Sequence, residues 1–180
     1  MMHETLNAQP TMTAERFTLR PCRTSDAGLI EMYASDKRVA RGSRAIPHPL
    51  PPGAVGAMIK RAQDPDRTED VWVLDGSDHD HVEAMGLVTL VRMDRDQSEF
   101  HGWIAPAFWN AGYASEALRM LIATNPHGAA RMFAEVFQDS PESARVLTNC
   151  GFDYLGDAEA FNVARNSVVP TWTYTLQLAP

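Results

Sequence analysis

Residues 108–118 read FWNAGYASEAL, a glycine among small side chains followed by a helix-forming run. Leu118, Leu121 and Ile122 recur at three- and four-residue steps, so the spacing predicts a helix over 113–123 with one buried face. The first turn of a helix leaves backbone N–H groups without partners and carries partial positive charge. A glycine beside it lets a phosphate come close to the main chain. These residue types in this order suit an anion cradle, although an ordinary turn before a helix has the same composition. The chain has no GxxxxGKS or GxxxxGKT and no GxGxxG after a strand, which excludes the common nucleotide-triphosphate and dinucleotide loops. His79 and His81 in SDHDHVE have no further ligands at metal-binding spacing; the stretch reads as a solvated turn and no metal is expected.

The chain that must position this loop has 180 residues, the length of one domain, enough to bury about two thirds of its unfolded surface. The expected division is a flexible tail over 1–14 and a single domain over 15–180. A hydrophobic fraction of 44% is that of a soluble globule. The formal net charge of −7 argues against nucleic acid and anionic membranes as partners and suits an amine-bearing one. No run of 18 apolar residues is present, and the start lacks a basic segment followed by an apolar one. Cys22 and Cys150 give no disulfide framework, and reduced thiols are the default. A cytoplasmic protein is therefore expected, with a homodimer as the commonest form of association.

Periodicity supplies the elements. RFTLRP alternates Phe17 and Leu19 inward as a short strand. Thr24, Ser25 and Asp26 precede a helical stripe of Leu29, Ile30, Met32 and Tyr33, and Ala54, Val55, Met58, Ile59 and Ala62 form a second. The four prolines of AIPHPLPPG demand an extended loop between them. VWVLD, EAMGLVTLVRM and SEFHGWIA read as hairpin-linked strands, RMFAEVF as a strand, and SPESARVLTNCGF as a helix with Ser140 at its N-cap and Gly151 as its stop. Two closing strands are FDYLGDAEAFNVA and PTWTYTLQL. The order is β-α-α-β-β-β-α-β-α-β-β, a mixed α/β (α+β) sheet, mostly antiparallel. The crossover after SEFHGWIA makes the fourth and fifth predicted strands parallel, and its helix starts where open sheets place ligands.

SEFHGWIAPAFWNAGYASEAL followed by VFQDSPESARVLTNCGF resembles the GNAT acetyl-CoA-dependent N-acetyltransferases, in particular the branch of ribosomal-protein N-terminal acetyltransferases, over residues 16–178. Glu99, Trp103, Ile104, Pro106, Trp109, Gly112, Tyr113, Glu116 and, further on, Asp139, Ser143, Arg145, Gly151 and Phe152 fall on matching positions. The departures are Asn110 for a glycine, Ala111 for a basic residue, His101 for a glycine, Ser140 for an asparagine, and Leu147 where some members carry an acidic tyrosine. The resemblance implies the GNAT acyl-CoA N-acyltransferase fold, with acetyl-CoA as cosubstrate. It also implies that backbone amides of Asn110, Ala111, Gly112, Tyr113, Ala114 and Ser115 hold the pyrophosphate. The pantetheine arm would lie between the fourth and fifth strands, bonded to backbone near Ile104 and Ala105 and flanked by Ser140.

Acetyl transfer needs a neutral amine, a polarised thioester carbonyl and a proton for the leaving thiolate. The acceptor implied is a protein N-terminus or a small-molecule amine, acetylated directly in a ternary complex. Glu99 is the candidate base, directly or through a water, or else a solvated or salt-bridged strand carboxylate. His101, two residues on, shares its strand face and could relay the proton, or simply pack. Ser143 or Ser140 could protonate the thiolate, with helix capping as the other reading of Ser140. The acceptor loops are expected over residues 38–52 and 160–170. The missing cation at Ala111 and the serine at 140 also fit a non-catalytic acyl-CoA-binding module on the same scaffold.

Overall fold

Alternation along each strand decides what covers each face of the sheet. In β3 (Glu69–Asp75) Trp72 and Leu74 point one way, into a cluster with Phe17, Leu19, Leu118, Leu121 and Leu147; Val71 and Val73 point the other, against Ile30, Val55 and Ile59. Helices therefore cover both faces. The computed structural model describes residues 9–180. Its other strands are β1 (Met12–Thr13), β2 (Thr18–Pro21), β4 (Gly86–Met93), β5 (Gln97–Ile104), β6 (Arg131–Phe137), β7 (Asp153–Asn162) and β8 (Ser167–Gln177). The helices are α1 (Ala27–Ala34), α2 (Lys37–Gly42), α3 (Ala54–Ala62), α4 (Tyr113–Thr124) and α5 (Pro141–Asn149). The eight strands form one sheet in the order β1-β2-β3-β4-β5-β6-β8-β7. Every neighbouring pair is antiparallel except β5 and β6, which are the parallel pair expected as fourth and fifth. Helices α1 and α3 contribute to one cluster, α4 and α5 to the other.

Two elements go beyond the predicted order. Residues 1–8 lie outside the described residues, but the rest of the segment expected as a loose tail is docked. Met12 and Ala14 are buried, Met12–Thr13 pairs with β2, and the Trp72 indole donates to the Pro10 carbonyl at 2.8 Å. A fully buried tryptophan needs a partner for its N–H, and the N-terminal chain supplies it. The second is α2. The Asp36 carboxylate accepts from the Arg38 amide at 2.9 Å and starts a six-residue helix that buries only Val39 and Ala40, too little to show as a periodic stripe. Cys22 and Cys150 are both free thiols, and burial pushes Cys22 up to about 12. Among the described residues no helix is long and apolar enough to cross a membrane.

Two buried polar networks fix the sheet. Arg20 on β2 reaches Asp75 at 2.6 Å and holds Asp26 by two bonds of 2.8 and 2.9 Å, with the Glu83 and Pro21 carbonyls accepting its remaining donors. On β3, Asp70 accepts from Arg67 at 2.7 Å and from His127 at 2.8 Å, and the other nitrogen of His127 lies 3.3 Å from the Ser98 hydroxyl. Serine, histidine and aspartate stand here in the sequence of a hydrolytic triad. Ser98, though, is buried at 1% exposure, so the chain ties β3 and β5 to the loop after α4 and meets no substrate.

Burial pushes the Asp70 carboxyl up, but hydrogen bonds from His127 and Arg67 outweigh it and leave it below the ordinary carboxylate value; Asp75 is lowered in the same way by Arg20 and Ser77. Their stabilisation is complete above the unfolded value near 3.9 and is lost as pH falls through the lower folded values. Urea unfolding should therefore show stability falling below about pH 4, and Asp70→Asn should flatten that slope. Arg20→Ala, which strands two buried carboxylates, should cost about 3–5 kcal/mol at pH 7.

Candidate active site

The β5–β6 ladder runs only from Gln97–Arg131 to Phe100–Ala134. Beyond it β5 stays paired with β4 up to Ile104, and β6 stays paired with β8 up to Phe137. The two strands therefore part after four pairs, opening a gap in the middle of the sheet. At the far end of β5 a short turn (Pro106–Phe108) leads to Asn110 and Gly112, both left-handed with φ of 59° and 81°, and α4 begins at Tyr113. Asn and Gly are the residues that adopt this conformation at low cost. The first amides of α4 have no carbonyl partner within the helix. Asn110, Ala111 and Gly112 are exposed, Ala114 and Ser115 half-buried, and Tyr113 is buried.

A cation stands at this loop although residue 111 is alanine. Arg16 donates to Glu116 at 2.7 Å and to the Ala111 carbonyl at 2.8 Å, and its guanidinium lies 4.1 Å from the centre of the Tyr113 ring. Arg16 also borders an open groove of about 560 Å³ with Gly112, Ser115, Glu116 and Arg119. A Cβ on Gly112 would lie 3.4 Å from the Arg16 guanidinium. Nearer the strands, the Ile104 carbonyl accepts from the Trp109 indole at 2.6 Å and the Ala105 amide donates to Met85 at 2.8 Å. A ligand amide that pairs with the Ile104 carbonyl therefore competes with Trp109. At the start of α5, Ser140 is at the N-cap position but its hydroxyl makes no capping bond. It meets the Ser143 hydroxyl at 2.8 Å and Glu142 at 3.0 Å. Leu147 is buried in the core and offers no acid.

Glu99 and His101 lie where β5 and β6 separate, on the sheet face covered by α1 and α3; α4 and α5 cover the other. Phe100 and Trp103 alternate to opposite faces, so only Trp103, edge-on to Tyr33 at 6.3 Å, shares the Glu99 side. Neither side chain of the pair is alone. Arg44 donates to Glu99 at 2.6 Å and, through its other terminal nitrogen, to Glu135 on β6 at 2.8 Å. It also lies 3.1 Å from His101, whose ring is in turn 3.2 Å from Glu99. The second oxygen of Glu135 accepts from the Thr171 hydroxyl at 2.7 Å. Burial raises the Glu99 carboxyl, but hydrogen bonds from His101 and Arg44 and the charge of Arg44 prevail and hold it below the ordinary glutamate value. Of the two readings of Glu99, the salt-bridged carboxylate is thus the one on view.

Arg44 and Glu135 escape sequence reasoning. Glu135 sits in an unremarkable strand and Arg44 in a proline-rich approach. Both expected acceptor loops do meet around Arg44. The Val163 amide donates to its carbonyl, Asn162 donates to the Arg41 and Ser43 carbonyls, and Arg165 joins Arg41 to Asp139. His81, read as part of a solvated turn, is exposed but lies edge-on to Phe108 and Tyr113.

An eight-stranded mixed sheet that parts between its parallel strands, with a crossover helix starting at the end of the first, is the architecture of the acyl-CoA N-acyltransferases. The chain belongs to the GNAT acetyltransferase family, whose acetyltransferase (GNAT) domain model matches residues 16–153. A comparison with curated protein sequences gives no match. Solved structures that share the fold include RimL, a ribosomal L7/L12 alpha-N-protein acetyltransferase in complex with coenzyme A. It is 12% identical with a TM-score of 0.78, covering 94% of this chain and 98% of that one. The spermidine N-acetyltransferase from Vibrio cholerae, in complex with CoA and spermine, is 16% identical with a TM-score of 0.76 over 91% and 96%. Ribosomal-protein-S5-alanine acetyltransferase from Vibrio fischeri is 17% identical with a TM-score of 0.72 over 96% and 100%. At these identities the likeness is one of fold.

Proposed function

We propose that the protein transfers an acetyl group from acetyl-CoA to a primary amine, a protein N-terminus or a small-molecule amine, by direct transfer in a ternary complex. The observation that carries this reading is the parting of β5 and β6 beside Glu99 and His101, with the unpartnered amides of α4 at the end of the same strand. The solved structures named above were obtained with CoA or act on ribosomal proteins and spermidine, all of them amine chemistry. Amides from Asn110 to Ser115 would hold the pyrophosphate, and Arg16, paired with Glu116, would offset the acidic residue beside them. The thioester arm would enter the gap past Ile104 and Ala105, with Ser140 on its far side.

The amine nitrogen attacks the thioester carbonyl carbon, a C–N bond forms, and the C–S bond breaks with its electron pair leaving on sulfur. The ammonium proton passes to Glu99, through a water or His101. The thiolate would take its proton by way of the Ser143–Ser140 hydroxyl pair, which regains one from solvent water. A carboxylate held low in pKa is ionised at neutral pH but accepts a proton weakly.

Thiol release from acetyl-CoA with a panel of amines and N-terminal peptides tests the reaction. Glu99→Gln should lower kcat/KM by about 10²–10⁴ while leaving CoA binding intact. Binding of CoA without turnover of any acceptor would instead identify a non-catalytic acyl-CoA-binding module. Gly112→Val places a branched side chain in a left-handed conformation and against Arg16. The strain of about 1–2 kcal/mol should weaken CoA binding, measured by calorimetry, roughly tenfold. Arg16→Ala should weaken it in the same direction, and more at low salt than at high.

A further inference from the structure

We propose that Arg44 is a specificity-determining counter-ion which fits the acceptor site to an amine carrying a single positive charge. The inference rests on the N-acetyltransferase reading of the site. Two carboxylates, Glu99 and Glu135, face the point where β5 and β6 part, with side chains only 13% and 10% exposed. One guanidinium bridges them through separate nitrogens, at 2.6 and 2.8 Å. Two negative charges and one positive leave a net charge of −1 beside His101. A protonated monoamine brings this to neutrality before it gives up its proton. An acceptor with two or three cations overshoots, and its second ammonium meets Arg44 where a carboxylate would otherwise be free. Like-charge contact of this kind is how a site excludes a competitor that it could otherwise bind.

Arg44 is placed to do this by main-chain contacts that do not depend on the carboxylates. Its carbonyl accepts from the Val163 amide at 3.0 Å, and the Arg41 and Ser43 carbonyls accept from Asn162, which is fully buried. The segment after α2 is thus anchored to the β7–β8 turn, and the guanidinium projects from a fixed base. The Arg44 side chain is 34% exposed, so an incoming amine reaches it. Lysine could not replace it in full, because an ammonium offers no pair of fixed nitrogens to span two carboxylates.

The experiment compares kcat/KM for an alanyl peptide, with one ammonium, and for spermidine, with three, on the same enzyme preparation. Loss of shared catalytic function cancels in the ratio. Wild-type protein should prefer the peptide. Arg44→Gln should move the ratio toward spermidine by roughly tenfold, mostly through KM, as expected for one partly screened charge. Arg44→Lys should retain most of the preference for the peptide. Glu135→Gln, which takes the net charge to zero, should raise KM for both acceptors. An unchanged ratio in Arg44→Gln, with CoA binding and thermal melting like those of wild type, overturns the proposal. If the wild type turns over neither these two acceptors nor any other of the amine panel, the acetyltransfer reading fails by itself. The charge site is then read by calorimetry of spermidine binding to the CoA-loaded protein. Stronger binding to Arg44→Gln than to wild type supports it, and equal binding overturns it.

Discussion

A ladder that stops while both of its strands continue leaves the backbone groups on the two facing edges without each other as partners, and buried groups of that kind need partners. The β5–β6 pair does this after Phe100 and Ala134. What keeps the strands apart is the sheet on either side. β5 is paired with β4 over eight positions and β6 with β8 over seven, so both outer ladders run full length and hold each inner strand away from the other. Gly86 allows the first of these ladders to reach Ile104, since a Cβ there would stand 2.4 Å from the Trp103 carbonyl. The gap is consequently a property of the whole sheet and is preformed, which lowers the ordering cost of any extended ligand that fills it.

The gap also divides the chemistry between two faces. The α4 and α5 side contributes main-chain amides, the Ser140–Ser143 hydroxyls and the Arg16 cation, groups that suit phosphate and a departing sulfur. The α1–α3 side contributes Glu99, His101, Glu135 and Arg44, groups that suit an ammonium. The N-terminal chain is bound into the first set, because the Arg16 amide and side chain both bond to Glu116 in the first turn of α4. An acidic residue there would otherwise repel an anion, and Arg16 neutralises it.

The elements around the gap were legible in the sequence wherever a strong period or a strong stop signal ran through them. The α4 stripe, the Pro141 start and Gly151 stop of α5, and the hairpins from β3 to β5 are of this kind. So are Glu99 and His101, whose two-residue separation fixes their shared face. The β1 strand has two residues and α2 buries two side chains, so neither has a period to detect; each depends on a partner, Trp72 for the first segment and the Asp36 carboxylate for the second. Arg44 and Arg16 are a harder case. The contacts that give them meaning span 55, 91, 95 and 100 residues, and nothing local marks one arginine among many as the one that arrives.

The acid strength of Glu99 bears on which amines the arrangement serves. Its carboxyl is held low by the neighbours that also hold it in place, so it draws protons weakly. With Glu99 as the proposed base, much of the deprotonation would be left to the acceptor. At pH 7 an α-amino group of pKa near 7.9 is neutral in about a tenth of molecules, whereas an alkylammonium near 10.4 is neutral in about four in ten thousand. The difference of about 2.5 units corresponds to about 3.4 kcal/mol of extra work for a lysine-like amine. Raising the pKa of Glu99 by removing Arg44 would ease that work but would also release a carboxylate to bind the cation as a ground-state ion pair, tightening substrate without speeding transfer. With Glu99 as the proposed base, charge balance at the parted strands and the proton affinity of that base would select in the same direction, toward an amine with one positive charge that it readily gives up.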